Sequence, residues 1–404
     1  MSFDQATREL TSAEPAVRLR AAQRLKELAS LEAAIPLAAL VTDPQDEVQL
    51  EAITAEMNIF LSEPVVPRKR VGFVVEVRSP VLSEPAFSAG PNAIGARPVP
   101  MDVLTALRLG ARDDNPRVAL EAMYAFGALG AAPGGRARRE LLRVSGPDIV
   151  AFVGASDPAM RYAAVRVLGR VFAKRAEDDP IDETVGDAVI TALNDRDDAV
   201  KAAAMQALGT MRYERGVQAL TDLFEFYSKS DAAAAPLDAL ARIAHPASAS
   251  VLTAQLSGRS SERRGIAIEG LGRMGDESKL TEIQRALDID RNDGVTLAGV
   301  FASALLANGP IDRIADALTR PRLRVQARQY LIELVPGRVS ALTSHLQDPE
   351  ARLRLEVVDL LGLSGDPAAL PLVEPLLNDR DAQVARAAVR AVAKLKQATA
   401  SPSP

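Results

Sequence analysis

The sequence predicts an all-α solenoid of about ten to eleven short helical hairpins, with one long non-helical insertion. A turn containing Asp, followed by apolar residues at helical spacing, recurs along the 404 residues, and clean copies lie 30 or 31 residues apart. Ala dominates the helical segments, and several of them end in a Leu-Gly step. A unit of this length holds two short helices and two turns. It cannot bury its own apolar face, so neighbouring units must stack on one another.

The clearest copy is the segment 348–366, which reads D-P-E-A-R-L-R-L-E-V-V-D-L-L-G-L-S-G-D. Its Asp-Pro step is a turn and helix-start signal, because Pro is tolerated in the first helical turn. Leu353, Val357 and Leu361 follow at helical spacing. Gly362 and Gly365 are expected to close the segment, since Gly accepts left-handed backbone angles at little cost.

Other copies are aligned on the residue equivalent to Leu353, which we call the anchor. The equivalent anchors are Val17, Val48, Val118, Met160, Val200, Val295, Leu323 and Val384. A weaker copy has Arg263 at this position, and a copy near residues 230–243 lacks the turn signature. In each unit a first helix precedes the turn and a second helix follows it. The predicted pairs are 31–42 with 45–61, 181–193 with 197–209, and 367–377 with 381–396.

Three segments interrupt the repeats. The longest, 62–100, contains seven Pro residues, so long helices are excluded, and its residues 71–77 have a strand-like composition. Its apolar residues Phe73, Val74, Val75, Phe87 and Ile94 favour an ordered, packed loop. The segment 131–148 either lengthens a first helix or interrupts it at Gly146-Pro147, and 174–184 is a charged linker. The predicted regions are residues 1–61 (repeats), 62–100 (insertion), 101–397 (repeats) and 398–404 (disordered tail).

Composition excludes several classes of protein. The net charge of −5 argues against a general nucleic-acid binder, because neutralising phosphates requires a basic excess. The chain has no Cys, which rules out disulfides, thiolate metal sites and a Cys nucleophile and fits a reducing compartment. We expect neither a signal peptide nor a membrane span, and therefore a cytoplasmic protein.

The recurring residues resemble the HEAT repeat in its bacterial PBS-lyase HEAT-like form. The matching pattern, D-x-(x)-P-x-V-R-x-x-A-(x)-x-x-L-G-x-(x)-G-D, is best seen at 348–366, at 195–209 and at 271–276. The resemblance covers almost the whole chain outside 62–100. It implies a right-handed superhelix of the armadillo-like kind, with second helices on the concave side. It also implies binding of a partner protein or peptide there.

Two sets of charged residues recur in register with the repeats. The acidic set could be a carboxylate array, but we expect each Asp to cap a helix start. The resemblance implies that it also pairs with a basic residue of an adjacent repeat in a structural ladder. The basic set could alternatively form a stripe for an acidic ligand. The acidic set is Asp43, Asp113, Asp195, Asp290, Asp348 and Asp379; the basic set is Arg18, Arg161, Lys201, Arg264, Arg324 and Arg354.

Basic and aromatic residues outside the repeat pattern are the candidates for partner contact. We place partner binding in the insertion and in the basic cluster after residue 135. The candidate residues are Arg68, Lys69, Arg70, Phe73, Arg78, Phe87, Arg136, Arg138 and Arg139.

The sequence offers no catalytic, cofactor or metal-binding set. Its two His residues, His245 and His345, form no His-Glu pair of the kind that HEAT-type iron hydroxylases need, and we expect His345 at a surface or interface. Two functions stay open. The favoured one is a non-enzymatic interaction scaffold that uses the concave face, the insertion or both. The alternative is a bilin-lyase-like or other accessory activity, which the resemblance implies but which the dispersed Tyr residues weaken.

Overall fold

The fold is all-α, as predicted. We describe a computed structural model of the chain over residues 1–62, 82–90, 93–130, 136–174 and 180–400. Within these ranges the regular structure is α-helix and 3-10 helix, and the extended backbone pairs in one isolated bridge, between Leu61 and Ile94. None of the described helices has the length and apolar character required to cross a membrane.

The chain forms two compact units, Met1–Val171 and Phe172–Pro402. In unit 1 the second helices are α2, α4, α7 and α9. The α-helices of unit 1 are α1 (Phe3–Glu9), α2 (Pro15–Leu28), α3 (Ala34–Ala38), α4 (Asp46–Phe60), α5 (Ser83–Ala89), α6 (Met101–Gly110), α7 (Pro116–Gly130), α8 (Arg136–Val150) and α9 (Pro158–Val171).

Unit 2 repeats the same hairpin, with second helices α11, α13, α15, α17, α19, α20 and α22. Its α-helices are α10 (Glu183–Thr191), α11 (Asp198–Met211), α12 (Val217–Phe226), α13 (Ala234–Ile243), α14 (Ala249–Gln255), α15 (Ser261–Arg273), α16 (Leu280–Ile289), α17 (Asp293–Leu306), α18 (Asp312–Asp316), α19 (Arg324–Leu334), α20 (Ala351–Ser364), α21 (Leu370–Val373) and α22 (Ala382–Ala400).

The second helices agree with the prediction more closely than the first helices do. Helices α4, α11 and α22 correspond to the predicted second helices 45–61, 197–209 and 381–396. Helix α22 continues to Ala400, into the predicted tail. The predicted first helix 31–42 is instead α3 between two 3-10 segments, Leu31–Ala33 and Ala39–Thr42. The first helix at 367–377 is divided in the same way. Both contain internal Pro, which removes a backbone donor, and 3-10 bonds satisfy the ends of so short a helix.

Most Leu-Gly steps lie inside their helices, which corrects the prediction for these steps, although α7 ends at Gly130. Helix α20 continues past Gly362 to Ser364, and Gly365 closes it in the left-handed conformation (φ +64°), as predicted. A Cβ on Gly362 would lie 2.7 Å from the Cβ of Ala391 in the next second helix. At Gly272 a Cβ would lie 2.9 Å from the Cα of Ala302 in the next second helix. These Gly residues therefore let consecutive second helices approach backbone to backbone.

The insertion contains a short helix, α5, where none was predicted. Phe87 (5% exposed) and Ile94 (3%) are buried, as expected for a packed segment. The predicted strand-like stretch 71–77 lies outside the described residues. In the segment 131–148, α8 runs without interruption through Gly146-Pro147, so this first helix is lengthened rather than broken.

Candidate binding surface

The second helices leave one side exposed, which we call the inner face. It comprises the positions two, three, six and ten residues after each anchor. In α20 these are Leu355, Glu356, Asp359 and Leu363, all half-buried. The anchors themselves are buried, with the exception of the half-buried Val17. The repeat pattern therefore indicates which side of α20 is partly open to solvent, whereas the same positions of α17, Leu297, Ala298 and Phe301, are buried.

The recurring Arg of several repeats reaches the turn Asp of the next repeat. Arg18 donates from Nε to Asp43 Oδ2 at 2.7 Å and from Nη2 to Oδ1 at 2.8 Å. Arg264 Nε donates to Asp290 Oδ2 at 2.6 Å. The third guanidinium nitrogen of Arg18, Nη1, donates to two backbone carbonyls of the preceding turn, those of Ser12 and Ala13. One guanidinium group thus forms hydrogen bonds with two successive turns.

The ladder does not extend to every predicted residue. Gln49 takes the Arg position opposite Asp113 and donates from Nε2 to Oδ2 at 2.8 Å. Lys201 pairs with Asp198 of its own helix at 2.7 Å. Arg324 donates to the carbonyl of Leu318. Arg161 and Asp195 are not among these exceptions: Arg161 donates to the carbonyls of the preceding turn, those of Ala155 and Ser156, as Arg18 does in its repeat, and Asp195 accepts from the amide of Asp197.

The turn Asp does not cap the helix start, contrary to the prediction. Asp290 Oδ1 accepts from the backbone N–H of Asn292 at 2.9 Å, which closes an Asx turn. Asn292 is the N-cap of α17 and accepts from the amides of Gly294 and Val295. Asp348 likewise accepts from Glu350, two residues on. The sequence signal for the true cap is the second polar residue of the D-x-D or D-x-N pair.

Since Arg18, Arg264 and Arg354 are engaged in these bonds, they do not form a basic stripe on the inner face. Hydrogen bonds from Arg264 and Arg354 hold the pKa values of Asp290 and Asp379 below the usual range of an Asp carboxyl. These groups therefore serve the stacking of the hairpins.

The open part of the inner face in unit 2 is an acidic groove. The groove has a volume of about 640 Å³ and lies between the second helices α13, α15, α17 and α19. Asp231, Asp238, Glu262 and Glu269 line it, and none of the described residues in its lining is Lys or Arg. Gly265 widens it, because a Cβ there would meet no atom within 4 Å. The groove accordingly presents carboxylates to any ligand that enters it.

A hydrogen-bonded network fixes the floor of this groove. Glu269 Oε1 accepts from the hydroxyl of Tyr330 at 2.5 Å, and Gln326 Nε2 donates to the same hydroxyl oxygen at 2.6 Å. Arg273, whose side chain is 3% exposed, pairs with Glu333 at 2.8 Å and with Glu269 at 3.4 Å. Burial raises the pKa of Glu269, an effect that Arg273 and Tyr330 oppose.

The remaining carboxylates differ in how far they are compensated. Asp238 accepts from Arg242 Nε at 2.7 Å, whereas Asp231 and Glu262 are exposed at the rim. Val325, which directly precedes the groove residue Gln326, is 79% exposed. A ligand would therefore meet two solvent-exposed carboxylates above a hydrogen-bonded floor.

The predicted partner-contact residues lie elsewhere or outside the described chain. Arg68, Lys69, Arg70, Phe73 and Arg78 fall in 63–81, which the structure does not describe. Arg136, Arg138 and Arg139 begin α8, and their side chains are likewise outside the description. Phe87 is not exposed to a partner, which corrects the prediction: it is 5% exposed and packs against α7 and α9.

Both His residues have structural roles in this fold. His245 Nδ1 accepts from the amide of Ala247 at the start of a 3-10 segment. His345 is buried, 7% exposed, with Nε2 3.1 Å from Asp316 Oδ1, which corrects its expected surface position. Over the residues that the structure describes, no three His, Asp or Glu side chains are grouped so as to hold a metal ion.

The family model for HEAT repeats matches residues 146–237 and 339–403. The second matched segment includes α20, α22 and the ladder pair between them. No curated protein sequence matches the chain.

Three solved structures that match the chain are each described as an engineered protein. The first is 18% identical, with 98% of this chain and 99% of that chain covered and a TM-score of 0.46. The second is 19% identical, with 71% and 98% covered and a TM-score of 0.38. The third is 18% identical, with 67% and 97% covered and a TM-score of 0.38.

Proposed function

We propose that this chain is a non-enzymatic interaction scaffold, and that the acidic groove of unit 2 binds a positively charged segment of a partner protein. The observation that carries the proposal is the lining of the groove, which has four carboxylates and no basic side chain among its described residues. Repeat proteins bind partners on the extended surface that stacked second helices create. The matched HEAT repeats support this general role.

Charge and rigidity both suit such a ligand. Asp231 and Glu262 are solvent-exposed and can pair with Lys or Arg without a large desolvation cost. The floor around Glu269 and Tyr330 is already hydrogen-bonded, so little ordering is required on binding. Salt should weaken the complex, because exposed charges are screened beyond about 8 Å at physiological ionic strength.

Charge reversal at the rim tests the proposal. The probe is a dye-labelled peptide of alternating Lys and Ala, with an uncharged Gln/Ala peptide as its comparison. We expect the Lys peptide to bind the wild-type chain and Asp231→Lys/Glu262→Lys to bind it at least tenfold more weakly. The matched control is Glu277→Lys/Asp288→Lys, which makes the same charge change at exposed positions outside the groove. Equal loss in both double variants would refute a specific groove.

The insertion remains a second proposed contact. Arg68, Lys69, Arg70 and Arg78 would supply a basic surface, and the basic cluster from Arg136 onward would add to it. Replacing residues 64–80 with a Gly/Ser linker keeps α5 in place. Capture of native partners by this variant and by the groove variant separates the two surfaces: loss in the linker variant alone would assign binding to the insertion.

Two finer assignments belong to the same proposal. The PBS-lyase HEAT-like type is supported by the Asp-Pro step, the Leu-Arg pair and the Leu-Gly step of 348–366, and a cytoplasmic location is supported by the absence of Cys.

A further inference from the structure

The inner face of unit 1 is occupied by the chain itself. The short helix α5 lies on α7 and α9, and its residues Ser83, Ala86 and Phe87 are buried. The residues that it covers include Tyr124 and Arg166. Both lie six positions after their anchors, as Glu269 does in the open groove of unit 2. Helix α5 therefore covers the helix positions in unit 1 that correspond to the open groove positions in unit 2.

Phe87 is the apolar contact of this segment. Its ring lies 5.3 Å from the ring of Tyr124. The guanidinium carbons of Arg166 and Arg170 lie 5.1 and 4.5 Å from its centroid, within the range of a cation–π contact. Gly127 provides the space, because a Cβ there would lie 2.8 Å from Phe87 Cε2.

Polar contacts fix the orientation of the segment. Arg166 donates from Nη1 to Glu84 Oε1 at 3.0 Å and from Nη2 to Ser88 Oγ at 2.8 Å. Arg170 donates to the carbonyl of Phe87. These contacts recognise an acidic side chain, an aromatic ring three residues later, and the backbone of one helical turn.

The start of the helix is recognised as well. The two carboxylate oxygens of Glu121, itself 2% exposed, accept from the backbone amides of Leu82 (2.5 Å) and Ser83 (2.9 Å). Glu121 lies three positions after its anchor, also on the inner face. The site thus reads both the side chains and the backbone of α5.

The site holds the helix, rather than the reverse. A seven-residue helix is not stable alone in water, because nucleation costs more than so few bonds return. The four receptor residues, Glu121, Tyr124, Arg166 and Arg170, all come from regular second helices. They are therefore in place whether or not α5 occupies them.

We propose that the α7–α9 surface is a second binding site, for a partner segment with an acidic residue three positions before an aromatic one, and that α5 occupies this site as a tethered competitor. This inference is independent of the acidic groove, since it concerns other helices and a ligand of opposite charge. Because α5 belongs to the same chain as its site, its effective concentration there is on the order of 1 mM. If α5 itself has an intrinsic Kd of about 50 µM for the site, a partner segment would bind the intact chain about twentyfold more weakly than it binds the vacated site.

The experiment measures binding of the free segment in trans. The probe is a dye-labelled peptide of residues 82–90, Leu-Ser-Glu-Pro-Ala-Phe-Ser-Ala-Gly, and its control carries Ala in place of Phe. We expect Phe87→Ala to bind the probe at least tenfold more tightly than the wild-type chain does, by fluorescence anisotropy. Glu84→Arg, at a side chain that is 42% exposed, should release α5 by repulsion from Arg166 and give the same gain. If Phe87→Ala folds poorly, the Glu84→Arg variant is used in its place.

Three further measurements decide the outcome. Adding Arg166→Ala to either released variant should abolish binding of the probe. The control is the single variant Phe226→Ala, which removes an aromatic ring at an 80% exposed position and should bind the probe as weakly as the wild-type chain does. No gain in affinity in either released variant overturns the proposal. A wild-type dimer that Phe87→Ala dissociates, with no binding of the probe, would show exchange of α5 between two copies and also overturns it.

Discussion

Arg354 of α20 and Asp379, in the turn before α22, form a buried, bidentate salt bridge. Arg354 donates from Nε to Asp379 Oδ2 at 2.8 Å and from Nη2 to Oδ1 at 2.7 Å, and the two side chains are 4% and 9% exposed. Nη1 of Arg354 donates to the carbonyls of Asp348 and Pro349. One side chain therefore binds the turn before it and the turn after it.

Arg354 binds the carboxylate of Asp379 but only the backbone carbonyl of Asp348. Replacing these two equivalent turn Asp residues should therefore lower the free energy of unfolding by different amounts. Asp379→Ala leaves Arg354 buried without its carboxylate and should cost about 3 kcal/mol of unfolding free energy. Asp348→Ala removes the Asx-turn bond to Glu350 and should cost about 1 kcal/mol. Urea unfolding followed by circular dichroism gives both values. Equal costs would show that the ladder bond adds nothing to the turn.

The same pair predicts a pH dependence. The hydrogen bond from Arg354 lowers the pKa of Asp379 below its unfolded value of about 3.9. A lowered pKa contributes stability that is present above the unfolded pKa and is lost as pH falls through the folded pKa. The stability difference between the wild-type chain and Asp379→Asn should stay constant from pH 5 to 8 and shrink below about pH 4. Urea unfolding across this range measures it, and a difference that persists undiminished at pH 2 would contradict the assignment.

Glu56 predicts a stabilising substitution. Its side chain in α4 is 0% exposed, neither carboxylate oxygen has a hydrogen-bond partner among the described atoms, and burial raises its pKa well above the usual value. Between the unfolded pKa and this raised one, stability falls as pH rises. Glu56→Gln should therefore raise the melting temperature at pH 8 and have little effect below pH 4.5. The exposed Glu47→Gln on the same helix is the control, and an equal effect of both would argue against a buried acid.

Gly127 predicts a coupled pair of substitutions. Gly127→Ala places a Cβ 2.8 Å from Phe87 and 3.0 Å from Val167 Cγ2 and should cost about 1–3 kcal/mol through overpacking. Removing the ring with Phe87→Ala should reduce that cost, so that the double variant is more stable than the sum of the single effects predicts. Gly154→Ala is the matched control, because its Cβ meets no atom within 4 Å. Additive effects in a thermal-melt cycle would place Phe87 away from Gly127.

The sequence predicted the hairpins because their signal is local. Anchor spacing identified the second helices to within a few residues, since an apolar period along one segment fixes which side is buried. The functions of Gly362 and Asp348 were misassigned for one shared reason. Each residue type has a local role, in a helix stop or a cap, that matched the pattern, whereas its observed role depends on a neighbouring hairpin or on the next polar residue.

The candidate sites were less predictable. The acidic groove combines Asp231, Asp238, Glu262 and Glu269 from two helices and a turn, and no spacing in the sequence links them. Phe87 was predicted both to pack within the insertion and to contact a partner, but its burial against Tyr124 and Arg166 depends on residues 37 and 79 positions away in the chain.

By itself, the sequence determined an all-α chain of stacked hairpins and the anchors that are buried. These follow from periodicity, because a helix must bury its apolar stripe wherever it lies. Only the tertiary structure decided which turn Asp receives an Arg, which carboxylates converge on one groove, and that α5 fills the inner face of unit 1. Each of these depends on distances between segments far apart in the chain, and stacking geometry sets those distances.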